Sequence, residues 1–76
     1  MKELLTLFAQ GLVRDARRVS VHERSAAGVV TLELEVAPGD RGRVIGRGGR
    51  TVEALRTVLQ AVAARRGGSC ALEIRE

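Results

Sequence analysis

Between Arg43 and Val52 the chain reads RVIGRGGRTV, and Arg41, Arg43, Arg47 and Arg50 fall within ten residues of one another. Arginine offers a planar fork of N–H donors that matches phosphate, and glycine lets a backbone approach a ligand closely. No acidic residue lies between Asp40 and Glu53, so the positive charge is undiluted there. The chemistry this combination suits is phosphate binding. Two nucleotide loops are excluded by spacing. A Walker loop needs G-x-x-x-x-G-K-[ST], and the only lysine is Lys2. A dinucleotide loop needs G-x-G-x-x-G directly after a strand, but Thr51 stands where the third glycine would be.

The elements that must hold this loop can be read from apolar spacing. Leu4, Leu5, Phe8, Leu12 and Val13 recur at helical intervals and predict an amphipathic helix of about four turns over residues 1–16. The period then drops to two: Val19 and Val21, then Val30, Leu32, Leu34 and Val36, alternate with polar residues across a SAAG turn, which predicts a β-hairpin. Pro38 ends the second strand and suits the first turn of a helix, and DRGRVI has room for only a short one. Val52, Leu55, Leu59 and Val62 predict a long helix to Arg66, with the GlyGly pair at 67–68 as its stop. CALEIRE, alternating Cys70, Leu72 and Ile74 with polar partners, predicts a third strand.

The order is αββααβ, an α+β two-layer domain with a three-stranded sheet and helices packed on one face, occupying residues 1–76 as a single unit. The other sheet face would carry Thr31, Glu33, Glu35, Glu73 and Arg75, a mostly acidic surface that repels phosphate. Basic charge must therefore act at the loop, where Gly46 to Gly49 join two helices. Unpaired amides and the positive end of the second helix dipole point outward at such a junction.

Bulk properties agree. The chain has 76 residues, a net charge of +4 and a sequence pI near 11, with arginine supplying all but one of its 13 basic residues. A domain this small has little interior to spare for a substrate pocket, and its charge favours nucleic acid as partner. No nucleophile, base and orienting group can be assembled, so no enzyme is expected. His22 has no carboxylate or cysteine at metal-ligand spacing, and neither a metal nor a cofactor is expected. Cys70 is alone and falls on an apolar stripe, which suits a small buried residue in a reducing cytoplasm, and no run is suited to a signal peptide or a membrane span. Phe8 is the only aromatic residue, which argues against recognition by stacking on ring platforms. Arg14, Arg17, Arg18, Arg65 and Arg66 read as solvated helix ends.

VIGRGGRTV, Val44 to Val52, resembles the KH-domain signature: an aliphatic pair, G-x-x-G, two residues and an aliphatic. Together with the αββααβ order it is similar to the type II arrangement of small stand-alone bacterial KH proteins, the KhpA family, and the likeness extends from MKELL through VAPGDRGRVIGRGGRT to ALRTVLQAVAAR. The resemblance implies a loop that grips the sugar-phosphate backbone of about four nucleotides, with bases in a groove between the helices and a strand edge. Carried onto this chain, the clamp is Gly46, Arg47, Gly48 and Gly49 with Arg50, the basic rim is Arg43 and Arg41, and Val44, Ile45 and Val52 form or support the apolar floor. Gly48 departs from the family, which often has a polar residue such as glutamine there, so affinity should rest more heavily on Arg47 and Arg50.

The function the resemblance implies is binding of single-stranded RNA with low sequence specificity, as an RNA chaperone or post-transcriptional regulator in the cytoplasm with no membrane association. It also implies a larger KH-domain RNA-binding partner and a link to cell shape and cell-wall biogenesis. The alternative expectation is a protein-assembly module that forms a homodimer or docks that larger partner, with RNA binding secondary.

Overall fold

The computed structural model describes residues 1–75; Glu76, the last letter of the expected third strand, lies outside the described residues. Helix α1 spans Lys2–Leu12 and a single 3-10 turn, Ala16–Arg18, leads into strand β1, Ser20–Ala26. Strand β2 is Val29–Glu35, and a 3-10 turn at Pro38–Asp40 runs into α2, Arg41–Ile45. The tight turn Arg47–Gly49 then opens α3, Arg50–Arg65, and β3 closes the order at Ser69–Ile74. The sheet order is β1-β2-β3, with β1 antiparallel to β2 and β2 parallel to β3. A parallel neighbour requires a crossover, and α2, the loop and α3 are that crossover. The αββααβ order and the two-layer α+β class therefore hold.

One sheet face makes the core. Val21, Leu34 and Ile74 stand in register on it, followed by Leu32 and Leu72 one step along. Leu5 and Ala9 of α1, Val44 of α2, and Val52, Leu55 and Leu59 of α3 cover that face. The far end of α3 is stopped by paired bonds: the Gly67 amide donates to Ala64 and the Gly68 amide to Ala63, the Schellman pattern. The opposite sheet face carries the expected carboxylates, but Arg24 reaches Glu73 at 3.5 Å and Arg75 reaches Glu35 at 3.5 Å and Glu33 at 3.8 Å. Its acids are thus partnered by local cations, and no surplus positive charge is left there for a polyanion.

Three expectations need correction. Helix α1 stops at Leu12, a turn early, because Val13 is extended and the next two amides are claimed from elsewhere. Its buried ridge is Leu5 and Ala9, whereas Phe8 is 41% exposed and Leu12 is half-exposed. The small Ala9 lets the helix seat closely on the sheet and rotates Phe8 outward, one position from the expected stripe. The hairpin turn is also tighter than SAAG. Ser25 and Ala26 belong to β1, leaving Ala27 and Gly28, both at positive φ (53° and 81°), as a two-residue turn whose twist matches that of the strands.

Candidate nucleic-acid interface

The loop is built from two short turns pinned by buried residues. Helix α2 is only five residues long, too short to persist alone, and Val44 fixes it by full burial in the core. Its last turn closes with the Gly46 amide donating to Gly42 at 2.8 Å, after which Gly46 takes φ 76° and ψ 168°. A side chain cannot occupy this position. A Cβ there would lie 2.3 Å from Thr51 Oγ1, 2.8 Å from Thr51 Cβ and 2.9 Å from the Thr51 backbone nitrogen, and the last of these cannot swing away. Gly48 is also left-handed, at φ 66° and ψ 15°, but a Cβ there would meet nothing within 4 Å. Gly48 is therefore set by backbone conformation, at about 1–2 kcal/mol for an L residue, rather than by crowding.

The turn leaves donors to spare. Gly49 donates its amide to Gly46 and Arg50 donates to Arg47, so the turn uses those two and not the amides of Arg47 and Gly48. Gly49 is the N-cap of α3 and brings no side-chain cap, so the first turn of a 16-residue helix is open at its positive end. Arg47 and Arg50 are exposed beside it and, among the described residues, pair with no carboxylate. Glu53, the acid of that first turn, is engaged by Arg56.

The remaining expected residues divide by environment. Val44 and Val52 are buried in the core beneath the loop and present almost no surface beside it. Ile45, 38% exposed, is the one of the three aliphatics that presents apolar surface beside the loop. Arg43 is exposed, with its Nε 3.5 Å from Asp40 Oδ1. Arg41 is half-buried, and its Nε is sealed from solvent without a hydrogen-bond partner. Along this rim Arg47 and Arg50 are unpaired among the described residues, Arg43 is tethered, and Arg41 is partly withdrawn.

Asp40, outside the expected set, organises the region. It is 4% exposed, and its two carboxylate oxygens accept the amides of Arg14 and Asp15 at 3.1 Å each. Although it stands at the N-cap of α2, it makes no cap bond to that helix and instead ties α2 to the end of α1. The Arg14 amide, then the Asp15 amide, and further off the Arg43 guanidinium hold its carboxyl below its ordinary value, against the opposing effect of burial. The acid in front of four arginines was visible in the sequence, but its partners 25 and 26 residues away were not.

Two more residues escaped the sequence reading. Arg56 donates from Nε and Nη2 to the Leu72 carbonyl, at 3.4 and 3.3 Å, and Gln60 Oε1 accepts the Cys70 amide at 2.9 Å. Both side chains of α3 thus stand on the outer edge of β3. Their i, i+4 spacing places them on one flank of the helix, but only the β3 position shows what that flank meets. His22 is exposed with Ser20 as its near neighbour, and burial pushes the half-buried Cys70 thiol up. Among the described residues no group of His, Cys, Asp and Glu is arranged to hold a metal ion, and no helix is long and apolar enough to cross a membrane.

Compared with known families, residues 2–74 match the KhpA/KhpB KH domain. Among curated relatives, the RNA-binding protein KhpA of Chlamydia trachomatis serovar D is 41% identical over 76 residues, covering 100% of this chain and 97% of the relative. The RNA-binding protein KhpA of Clostridium acetobutylicum is 42% identical over 74 residues, covering 97% and 99%. That of Aquifex aeolicus is 40% identical over 76 residues, covering 100% and 96%.

Proposed function

The chain belongs to the KhpA/KhpB KH-domain family, which is not an enzyme family, and from that premise we propose that it is a single KH domain over residues 1–76 that grips the backbone of single-stranded RNA through Gly46 to Gly49. The observation that carries this reading is an uncapped helix start whose neighbouring cations, Arg47 and Arg50, pair with no carboxylate among the described residues. Phosphate oxygens would meet the loose amides of the turn and the first turn of α3, and the two arginines would add charge-assisted bonds. Arg43 and Arg41 extend the rim, and Ile45 offers apolar contact to a base. A grip on phosphate fixes position without reading sequence, which suits a chaperone or regulator that handles many RNAs in the cytoplasm.

Replacing Arg47 and Gly48 together by aspartate tests it. Aspartate tolerates the left-handed position better than most residues, so the fold should survive while two negative charges enter the clamp. The expected outcome is loss of single-stranded RNA binding with an unchanged circular dichroism spectrum. Wild-type affinity should fall with salt at a log–log slope of about −2, as for roughly three phosphates on a single strand. Wild-type affinity in the double variant overturns the clamp.

A second reading, protein assembly, is favoured by α1. Phe8 and Leu12, one turn apart and both exposed, form an apolar ridge on α1, and Leu7, 68% exposed, lies on a separate flank of the same helix. This ridge could seat a second copy or a larger KH-domain partner. Light scattering with and without RNA separates the readings: a dimer that ignores RNA and dissociates on Phe8→Glu supports assembly, and a monomer at every concentration removes the homodimer.

A further inference from the structure

Arginines near a helix C-terminus are accounted for by the helix dipole. That account suits Arg65, in the last turn of α3, but not Arg14, Arg17 and Arg18. Helix α1 stops at Leu12, and the turn that holds Arg17 and Arg18 is only three residues long, so neither supplies a dipole that needs three cations. All three arginines are exposed, and among the described residues none of them pairs with a carboxylate. Asp15, the acid of the segment, is half-buried and has its amide on Asp40. The connection from α1 to β1 is therefore a second basic patch.

Asp40 ties this patch to the glycine loop. Its Oδ1 accepts the Arg14 amide at 3.1 Å and lies 3.5 Å from the Nε of Arg43. Besides the Arg14 and Asp15 amides, the guanidinia of both Arg43 and Arg14 help to hold its carboxyl low, so the Arg14 side chain also stands near that charge. Successive residues of a helix turn by about 100°, which puts Asp40 and Arg43 on one flank of α2 and Ile45 about 160° round from Arg43. A strand held at the loop thus has two exits. One leads over Ile45, and the other leads over Arg43 to the end of α1.

We propose that Arg14, Arg17 and Arg18 form a second phosphate-binding patch, which carries the backbone of single-stranded RNA onward from the clamp by way of Arg43. The proposal rests on the RNA-binding reading above and extends its footprint beyond the four nucleotides a glycine loop holds. Guanidinium forks bind phosphate without reading a base, so the patch adds affinity and a dependence on RNA length but no sequence preference.

The experiment titrates oligo(U) of roughly four and roughly twelve nucleotides into wild type and two double variants, at several salt concentrations. One variant is Arg17→Ala, Arg18→Ala. The other, Arg65→Ala, Arg66→Ala, removes the same charge at the far end of the 16-residue α3, about 24 Å along its axis from the clamp. The short RNA fills the clamp alone, so all three proteins should bind it equally, which also shows that the variants are folded. On the long RNA the Arg17, Arg18 variant should bind about fivefold more weakly than the Arg65, Arg66 variant. Its salt slope there should be flatter by about 1.4, as for two phosphates at about 0.7 each. Replacing the same pair by lysine keeps the charge and should restore most of the affinity. An equal loss on both lengths, an equal loss in the Arg65, Arg66 variant, or no loss at all overturns the patch, and the last would leave these arginines for an acidic protein segment. Wild-type binding of the short RNA by the Arg47→Asp, Gly48→Asp variant would sink the clamp alone, since the patch is read from the difference between the two lengths.

Discussion

Two turns in this molecule share a backbone and differ in everything that surrounds it. Ala27–Gly28 at the hairpin tip and Gly48–Gly49 at the head of α3 each place two successive residues at positive φ, 53° and 81° in one, 66° and 80° in the other. The hairpin turn is consumed by structure: Ala26 and Val29 pair across it, and the Gly28 carbonyl receives the Ser69 amide where β3 begins. The second turn leaves amides unused, leads into a helix without a side-chain cap, and is flanked by Arg47 and Arg50. Left-handed glycine geometry is thus common to a turn spent on the sheet and to the loop proposed as the clamp. Spare donors and unpartnered cations make the difference.

The comparison breaks most sharply at Gly46. Gly46→Ala puts a methyl against the Thr51 backbone, at a φ/ψ pair essentially reserved for glycine. It should cost roughly 3 kcal/mol from strain and overpacking together and should disable the clamp. Urea unfolding and RNA titration on the same preparation check it. If alanine is accepted with full stability and binding, the close approach of Gly46 to Thr51 does not set the loop.

A weaker break runs through Asp40. Its folded pKa is depressed, so its stabilising effect is fully present above the ordinary value of 3.8 and is lost as pH falls through the lower folded value. Thermal melts taken downward from about pH 6 should therefore show a loss of stability concentrated below 3.8. Asp40→Asn has one carbonyl oxygen where two amides need acceptors. It should be less stable at neutral pH, with a flatter acid profile, and RNA binding should weaken as α2 loosens from α1 while Arg47 and Arg50 are still present. The hairpin end, whose backbone bonds run among β1, β2 and β3, should keep its amide protection in hydrogen exchange.

How far this was legible in the sequence follows from how local each interaction is. The strands, the long helix and the loop were readable because their signals lie within a few residues: Leu32 and Leu34 alternate, Val52, Leu55 and Leu59 recur, and the glycines sit beside the arginines. The end of α1 was not, because Val13 leaves the helix where Asp40, 25 residues beyond Asp15, takes the next amides. The division of Val44, Ile45 and Val52 into buried and exposed members depends on the angle at which a five-residue helix enters the core. The positions of Arg56 and Gln60 on β3 depend on a parallel strand pairing that no local pattern records.

The smallest effect separates the turns most directly. Ala27 is the only described residue other than glycine at positive φ, so Ala27→Gly should relieve strain and stabilise the fold by up to about 1 kcal/mol, leaving RNA affinity untouched. Gly48→Ala, with open space around the new methyl, should destabilise by a similar amount, because alanine is disfavoured where glycine is not. Its effect on RNA is what discriminates. If the loop acts through its amides and the two arginines, a methyl at the tip obstructs the closest approach of phosphate, and affinity should fall severalfold with the salt slope unchanged. If affinity stays at the wild-type value while stability falls, phosphate does not approach over Gly48, and the contact must lie on the Arg50 side of the turn, at the open first turn of α3.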